Sequence, residues 1–251
     1  MAKIEQKIFG KIAKVLRASN FLTLKAAGAK ANICTSAFYN FETELRTPNY
    51  SKQIKIAKAF RIPKELFDEL WNLTKDLNEN LNKKDGNNEL ITLKIIAYRV
   101  LNHYLIQANI PENLMGINAL SNDTPPIPTD NNFSRIMKVL EKMNFINPTP
   151  LAKKANIDIH VIGYIKSKRI STSKDTLTRI AEILGLTYSI LTQLRELEKK
   201  LEEYLETRTD IERERKELLI LQALSHALLD YYYRQASANN NYLKKLYTRK
   251  K

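Results

Sequence analysis

Few side chains in this sequence have the types and spacing that catalysis or metal binding requires. The chain has one cysteine, Cys34, and three histidines, His103, His160 and His226. One cysteine cannot form a disulfide within the chain, and the histidines lack the spacing of metal ligands. No carboxylate pair, nucleophile with its base, or phosphate-binding glycine loop is visible. We therefore predict a protein that is not an enzyme, needs no cofactor, and works in a reducing, cytoplasmic compartment.

The distribution of charge indicates a protein that binds a polyanion. The chain carries 41 Lys and Arg against 27 Asp and Glu, which gives a net charge of +14. Residues 1–75 hold +8 of this charge and residues 132–194 hold +6. Basic charge concentrated in two compact segments is the pattern expected of two modules that face nucleic acid. The alternative interpretation is that these lysines only keep the protein soluble.

The composition predicts an all-helical chain. Hydrophobic residues make up 43% of the 251 residues, enough for two buried cores, whereas glycine (6) and proline (8) are scarce. Leu, Ile, Lys and Asn are abundant, and strands are not expected. The stretch MAKIEQKIFGKI at the N terminus is charged, and no run approaches the roughly 18 apolar residues of a membrane span. We therefore expect neither secretion nor membrane insertion.

One stretch of the sequence recurs 124 positions later. KANI occupies residues 30–33 and again 154–157, and the flanking residues are similar at the same offset. Further along, residues 89–108 match 217–236 at an offset of 128. Self-similarity over two whole repeats indicates an internal duplication.

Apolar spacing in the first repeat predicts five short helices. The third helix places Phe38 and Phe41 inward at i, i+3 and leaves its polar side chains outward. The fourth helix is predicted to bury Ile54, Ala57 and Phe60, and the fifth to bury Leu66, Phe67 and Leu70. Short helices with a tight turn between the second and third form a helix-turn-helix. The first predicted helix ends near residue 20, and the second covers residues 23–31. The third begins at residue 35 or 36, the fourth covers residues 50–60, and the fifth covers residues 63–75.

Both repeats resemble a known family. LTLKAAGAKANICTSAFYNFETELRTPNYSKQIKIAKAFRIPKELF and NPTPLAKKANIDIHVIGYIKSKRISTSKDTLTRIAEILGLTYSIL are similar to the Xre, or lambda-repressor-like (Cro-type), helix-turn-helix domain. The residues that carry the resemblance are Ala27, Gly28, Ile33, Phe38, Phe41, Glu42 and Pro48 in the first repeat, and Leu151, Ala152, Ile157, Ile162 and Ile165 in the second. The sequence departs from the family's usual Gln, Gly, Glu and Pro at Leu24, Glu44, Lys166 and Thr172.

The repeat and the resemblance together predict the fold class and the domains. The expected fold is all-α, with two lambda-repressor-like helix-turn-helix domains in an internal duplication, each followed by long scaffold or oligomerisation helices. A stretch rich in Pro, Asn and Asp predicts an extended linker between the repeats. The predicted segments are helix-turn-helix domain 1 (1–75), helical scaffold 1 (76–120), the linker (121–131), helix-turn-helix domain 2 (132–194), and helical scaffold or dimerisation segment 2 (195–251).

The resemblance implies a set of DNA contacts, because in such domains the third helix enters the major groove and nearby side chains hold phosphates. Asn40 has the groups to read adenine, and Ile159 suits a thymine methyl. The two outward faces differ, so two identical half-sites are not expected. The implied contacts of the first repeat are Thr35, Ser36, Tyr39 and Asn40 to bases and Lys25, Arg46 and Lys52 to phosphates. The corresponding face of the second repeat carries Ile159, His160, Gly163 and Tyr164, flanked by Lys153, Lys166, Lys168 and Arg169.

Several of these residues also have a purely structural interpretation. Tyr39 and Tyr164 are alternatively half-buried packing residues, and His160 is alternatively a helix cap. We expect Cys34, at the turn, to be a small buried residue and not a redox sensor.

The C-terminal part of each repeat predicts a strongly apolar helix. Residues 89–108 and 217–236 are apolar nearly all round, so each must pack on another surface. The simplest partner of each is its duplicate, either within the chain or across a homodimer. His103 and His226 lie in these helices and are expected to be core or interface residues. Residues 191–219 predict one long charged helix with at most a short coiled-coil seam.

The sequence as a whole predicts a sequence-specific regulator of transcription that binds double-stranded DNA. Family habit implies a repressor of phage, plasmid or mobile-element type, associated with the nucleoid of a prokaryotic cytoplasm. The first alternative is a protein-interaction regulator whose second helix-turn-helix no longer binds DNA. The second alternative is an architectural protein that coats DNA with little sequence preference.

Overall fold

The computed structural model describes residues 2–81, 88–115, 132–168, 172–238 and 240–248, and its regular secondary structure there is helical. These residues form thirteen α-helices and one short 3-10 helix, with no strand among them. The predicted all-α class is confirmed. The predicted linker, 121–131, lies outside the described residues. No helix in the described part of the chain combines the length and apolarity needed to cross a bilayer.

Two compact units make up the chain, Met1–Val100 with Ser237–Lys251 and Leu101–Ala236. The first unit begins with α1 (Ala2–Ser19), α2 (Leu24–Lys30), α3 (Thr35–Glu42), α4 (Tyr50–Ala59) and α5 (Lys64–Asn80), and includes α13 (Asn241–Thr248). The second unit contains the 3-10 helix (Glu112–Leu114), α7 (Ser134–Met143), α8 (Pro148–Ala155), α9 (Ile159–Lys166), α10 (Lys174–Ile183) and α11 (Tyr188–Glu206). Two helices, α6 (Asn88–Gln107) and α12 (Arg213–Ala238), contribute residues to both units.

Helix ends and turns recur at an offset of 124 residues. Helices α9 and α10 have the bounds of α3 and α4 shifted by 124, and α7 ends where α1 does. Four residues of each unit adopt left-handed φ at the same offset. These pairs are Phe21 and Phe145, Asn32 and Asn156, Glu44 and Lys168, and Arg61 and Gly185. The five-helix segments of the two units, α1–α5 and α7–α11, therefore follow the same local backbone path.

The interior of each five-helix segment is built from matching positions with different side chains. In the first unit Phe9 and Phe41 meet edge to face, with ring centroids 5.8 Å apart. The second unit has Ile162 and Ile165 where the first has Phe38 and Phe41, and all four are buried. The predicted inward positions of α3 are confirmed. Aromatic and aliphatic side chains thus fill equivalent cores, with α1 packed on α3 and α7 packed on α9.

Side-chain caps fix where several of these helices begin. Thr23, Asn49 and Ser173 precede α2, α4 and α10, and each accepts a hydrogen bond from the backbone N–H three residues later. Such caps stabilise a helix by roughly 1 kcal/mol each, because they satisfy N–H groups that have no partner in the first turn. Helix α3 differs, since its N-cap residue is Cys34, whose side chain makes no capping bond.

The predicted burial in α4 and α5 is confirmed for Ala57, Phe60, Phe67 and Leu70 and is wrong at two positions, Ile54 and Leu66. Helix α4 buries Ile56, whereas Ile54 is only half-buried. The reason is Gln53, whose amide donates to the Pro48 carbonyl at 2.8 Å and takes an interior position. Leu66, predicted as buried in α5, is also half-buried. Helix α5 itself continues past the predicted residue 75 to residue 80, because its apolar stripe continues.

The predicted long helix over 191–219 is two helices instead. Helix α11 ends at Glu206 and α12 begins at Arg213. In the intervening loop the Arg208 guanidinium pairs with Asp210 at 2.7 Å and donates to the Tyr204 hydroxyl at 3.0 Å. These local bonds favour a turn over a continued helix.

The apolar helices that close each repeat are covered within one chain. Ile96 and Leu101 of α6 and Leu224 and Leu228 of α12 are fully buried. Ile106 is an exception at 57% exposure. Burial of these faces therefore requires no second copy of the protein. His226 of α12 is fully buried as well, as expected of a core residue.

Acid is expected to destabilise the fold through His226. This imidazole is buried, and its Nδ1–H donates to the Met115 carbonyl. Burial lowers the pKa of His226 from 6.5 to about 4. Because the folded state binds this proton less well than the unfolded chain does, stability is complete above pH 6.5 and falls as the pH drops toward 4. The expected contribution is a loss of about 3 kcal/mol across that window.

Urea unfolding measured at intervals between the two pKa values checks this expectation. The His226→Gln variant lacks the titrating group, so its free energy of unfolding should change less with pH than that of the parent. Equal pH dependence of the two proteins would contradict a buried, neutral His226.

Candidate nucleic-acid interface

A tight turn joins α2 to α3 and fixes the direction of the second helix. The Ile33 N–H donates to the Gly28 carbonyl at 2.9 Å. A Cβ on Gly28 would lie 2.9 Å from the Ile33 carbonyl oxygen, so any larger residue would force the backbone to shift. In the second unit the Ile157 N–H donates to the Ala152 carbonyl at 3.1 Å. Both units therefore hold a helix pair in the same way, and this turn sets which face of α3 and α9 is outward.

The outward face of α3 is polar and aromatic. Thr35 and Ser36 are exposed in its first turn, and Tyr39 follows at 48% exposure. The predicted outward orientation is confirmed for these three residues, and a packing role of Tyr39 stays an alternative, because about half of its surface is covered. Asn40 is half-buried, so less of its amide is accessible than predicted. The face therefore offers hydroxyl, phenol and amide groups, which can donate and accept hydrogen bonds.

Cys34 is exposed, and the expectation of a small buried cysteine is wrong. It is the last residue before α3 and lies outside the interior positions, which the helix gives to Phe38 and Phe41. Its sulfur lies 3.3 Å from the Ser36 hydroxyl oxygen. That hydrogen bond lowers the pKa of the Cys34 thiol. The start of α3 is therefore a cluster of small polar side chains at the positive end of a helix.

The outward face of α9 is more apolar. Ile159 is 41% exposed and Tyr164 is 42% exposed, so both side chains are accessible, and a packing role of Tyr164 stays an alternative. The ring of the exposed His160 stacks on that of Tyr164, with centroids 6.3 Å apart. The alternative that His160 is the cap is wrong, because Asp158 is the N-cap and accepts the His160 N–H at 2.8 Å. Gly163, also exposed, lies between these side chains on the same face.

An ion pair links the first and third helices of each five-helix segment, with opposite polarity. In the first unit Arg17 donates to both carboxylate oxygens of Glu42, at 2.6 and 2.9 Å. The residues 124 positions later are Glu141 and Lys166, whose carboxylate oxygen and ammonium nitrogen are 2.5 Å apart. The basic residue of the ion pair therefore lies on the first helix in one unit and on the third helix in the other. Lys166, predicted to flank the DNA site, has its ammonium on Glu141 instead.

The remaining basic candidates are available at the surface. None of them makes an ion pair within 4.0 Å among those found in the described part of the chain. Arg169 lies outside the described residues. The exposed candidates are Lys25, Arg46, Lys52, Lys153 and Lys168.

Sequence reasoning missed two residues that shape the α9 face. Asp158 places a carboxylate at the start of α9, and an Asp immediately before a helix was a readable capping signal. Arg179 of α10 donates to the carbonyl oxygens of Ala155 and Asn156, at 3.4 and 3.1 Å, and so holds the turn before α9. Nothing in the local sequence marks that contact, since it joins residues more than twenty positions apart.

Comparison of the chain with protein-family models, with curated proteins and with solved structures found no match.

Proposed function

We propose that the chain is a sequence-specific, double-stranded DNA-binding regulator of transcription. It carries two helix-turn-helix heads of the Xre type in an internal duplication, head 1 (1–75) and head 2 (132–194). It acts in a prokaryotic cytoplasm on nucleoid DNA, as a repressor that occludes a promoter. It is of the type found in phages, plasmids and other mobile elements.

The observation that carries the proposal is the repeated helix pair with its tight turn and exposed second helix. An α-helix fits the major groove of B-DNA, and side chains of its first turns reach base edges there. Thr35 and Ser36 of α3 have hydroxyl groups suited to that role. The basic residues concentrate in the same two segments, at +8 and +6, where phosphates would neutralise them.

One chain is the DNA-binding unit in this proposal. Two heads on one polypeptide present two reading helices without a partner, and connecting them raises the effective concentration of the second head once the first has bound. Because the heads carry different outward residues, the preferred site consists of two unlike half-sites. A homodimer through helices 89–108 and 217–236 stays a prediction, and the measured molar mass in solution decides it.

The α9 face favours a second candidate function for head 2. Asp158 places a negative charge where head 1 has Cys34, and Lys166 is paired with Glu141. The exposed Ile159 and Tyr164 resemble the apolar and aromatic residues of protein interfaces. In this alternative head 1 binds DNA and head 2 binds another protein.

Substitutions in head 1 are expected to separate base contacts from phosphate contacts. Asn40→Ala should relax the preference at particular base pairs, at about 1–3 kcal/mol for a good contact, because the amide is the group that distinguishes adenine. Lys52→Ala should weaken binding to all sequences alike, because phosphates carry no sequence information. The measurement is selection of preferred duplexes from a random pool, followed by titration of single-base variants.

Asn72→Ala is the matched control, since it removes an exposed asparagine from α5, outside the proposed face. Its site preference should equal that of the parent. A uniform loss of affinity from Asn40→Ala would contradict the assignment of α3 as the reading helix. A footprint of the parent that covers one half-site only would favour the second candidate function.

A further inference from the structure

Gly163 occupies an unusual position in the middle of α9. A Cβ built on it has no neighbouring heavy atom within 4 Å, so the packing of the free protein does not require a glycine there. Its φ is not left-handed either. A glycine inside a helix is less favourable than alanine by roughly 1 kcal/mol. Gly163 therefore makes α9 less stable, and its packing in the folded chain gives no compensating stabilisation.

The space above Gly163 is kept open by its neighbours. On a helix the surface around residue 163 is bordered by the residues three and four positions away, which are Ile159, His160, Lys166 and Ser167. His160 stacks on Tyr164, Lys166 pairs with Glu141, and the Ser167 hydroxyl donates to the Tyr164 carbonyl at 3.1 Å. No heavy atom of these side chains lies within 4 Å of the Cβ position, and we term the open space there the Gly163 gap. Ile159, which is 41% exposed, is the apolar side chain at its border.

Head 1 has no such gap. The residue 124 positions before Gly163 is Tyr39, whose phenol projects from α3 at 48% exposure. A tyrosine ring holds a facing surface several ångströms further from the helix axis than a bare Cα does. The backbone of α9 can therefore approach a facing surface more closely than that of α3 can.

We propose that the Gly163 gap receives the 5-methyl group of a thymine in the major groove, and so makes the half-site of head 2 thymine-specific. The proposal rests on the DNA-binding function proposed above. The methyl group is the one apolar feature of the major-groove edges, and Ile159 is the apolar wall that it would contact. The exposed lysines 153 and 168 on the same head, and its net charge of +6, favour a polyanion over other partners of the α9 face.

Replacing thymine by deoxyuridine tests the proposal, because the change removes the methyl group and nothing else. The full chain is titrated with its selected duplex, in which each thymine of the head 2 half-site is replaced in turn. One replacement is expected to weaken binding of the parent about fourfold, the value for loss of one buried methyl group. Gly163→Ala fills the gap, so this variant should bind the thymine duplex at least about tenfold more weakly and bind the thymine and deoxyuridine duplexes equally.

Stability serves as the control for folding of the variant. Alanine has open space at residue 163 and a higher helix propensity, so Gly163→Ala should raise the melting temperature by about 2–4 °C. Deoxyuridine in the head 1 half-site should not distinguish the variant from the parent.

The outcomes separate the two proposals. A Gly163→Ala variant that binds the thymine duplex as tightly as the parent overturns the gap proposal, as does a parent that is insensitive to every deoxyuridine. A footprint that omits head 2, with head 1 still bound, also overturns it and points to a protein partner for α9. If the parent selects no duplex at all, the DNA-binding function itself fails.

Discussion

Raising the salt concentration from about 50 to about 200 mM is expected to weaken DNA binding by about 10³-fold. Each Lys or Arg that neutralises a phosphate releases a condensed counterion, and the release becomes less favourable as salt rises. Contact with roughly six phosphates gives a drop of this size. The two heads carry enough exposed basic side chains for six phosphate contacts, including Lys25 and Lys52 in head 1 and Lys153 in head 2.

Two lysine variants make the salt experiment specific. Lys52→Ala should reduce the slope of log affinity against log salt by about one, because one phosphate contact is lost. Lys200→Ala removes the same charge from an exposed position of α11, outside both heads, and should leave the slope unchanged. A steep slope without sequence preference would favour an architectural protein that coats DNA. An interaction that hardly depends on salt would contradict a DNA-binding role.

Arg135→Ala is expected to lower the free energy of unfolding by about 3 kcal/mol, because it removes one of the two cationic partners of the buried Glu198 and the partner of the half-buried Glu202 and Glu217. Arg135 lies in the first turn of α7 and is 13% exposed. Its guanidinium contacts Glu198 at 2.9 Å, Glu217 at 2.6 Å, and Glu202. It thereby ties α7 to α11 and α12. Burial raises the pKa of Glu198, against the opposing effects of Arg195 and Arg135, so this carboxylate depends on its cationic partners.

Urea unfolding of three variants measures the role of Arg135. Lys199→Ala breaks an ion pair with Glu196 in which both side chains are about one third exposed, and it should cost less than about 1 kcal/mol. Combining Arg135→Met, Arg195→Met and Glu198→Leu removes the buried carboxylate together with both of its cationic partners, so the triple variant should recover much of the loss. A cost for Arg135→Ala as small as that for Lys199→Ala would show that the cluster is not a buried network.

The sequence predicted the helices well because each helix buries a periodic stripe of its own. The bounds of α2, α3 and α4 follow from such stripes, and so does the all-α class. The prediction failed where a side chain some residues away decides the outcome. Gln53 takes an interior position, where it donates to the Pro48 carbonyl, so the buried stripe of α4 runs from Gln53 to Ile56 and leaves Ile54 at its edge. The loop after α11 is stabilised by the bonds of Arg208 to Asp210 and Tyr204. The 3.6-residue spacing of apolar residues does not reveal such polar contacts.

The candidate site was predictable in its outline and less so in its chemistry. The outward positions of α3 follow from the inward Phe38 and Phe41, so Thr35, Ser36 and Tyr39 were placed from periodicity alone. The ion pair of Lys166 was not predicted, because its partner Glu141 lies 25 positions away in sequence. The offset of 124 nevertheless indicated this pair, since the residues 124 positions after Arg17 and Glu42 are Glu141 and Lys166, with the charges exchanged.

The exchanged charges also bear on how the chain sorts its own segments during folding. The two five-helix segments of this polypeptide are synthesised one after the other, and misassembly between similar units is a common failure of proteins with similar segments. If α1 packed on α9, Arg17 would face Lys166, and if α7 packed on α3, Glu141 would face Glu42. Either exchange would bring two like charges together at positions partly shielded from water, whereas each correct pairing joins opposite charges. Each ion pair thus favours packing of a first helix on the third helix of its own unit over packing on the third helix of the other unit.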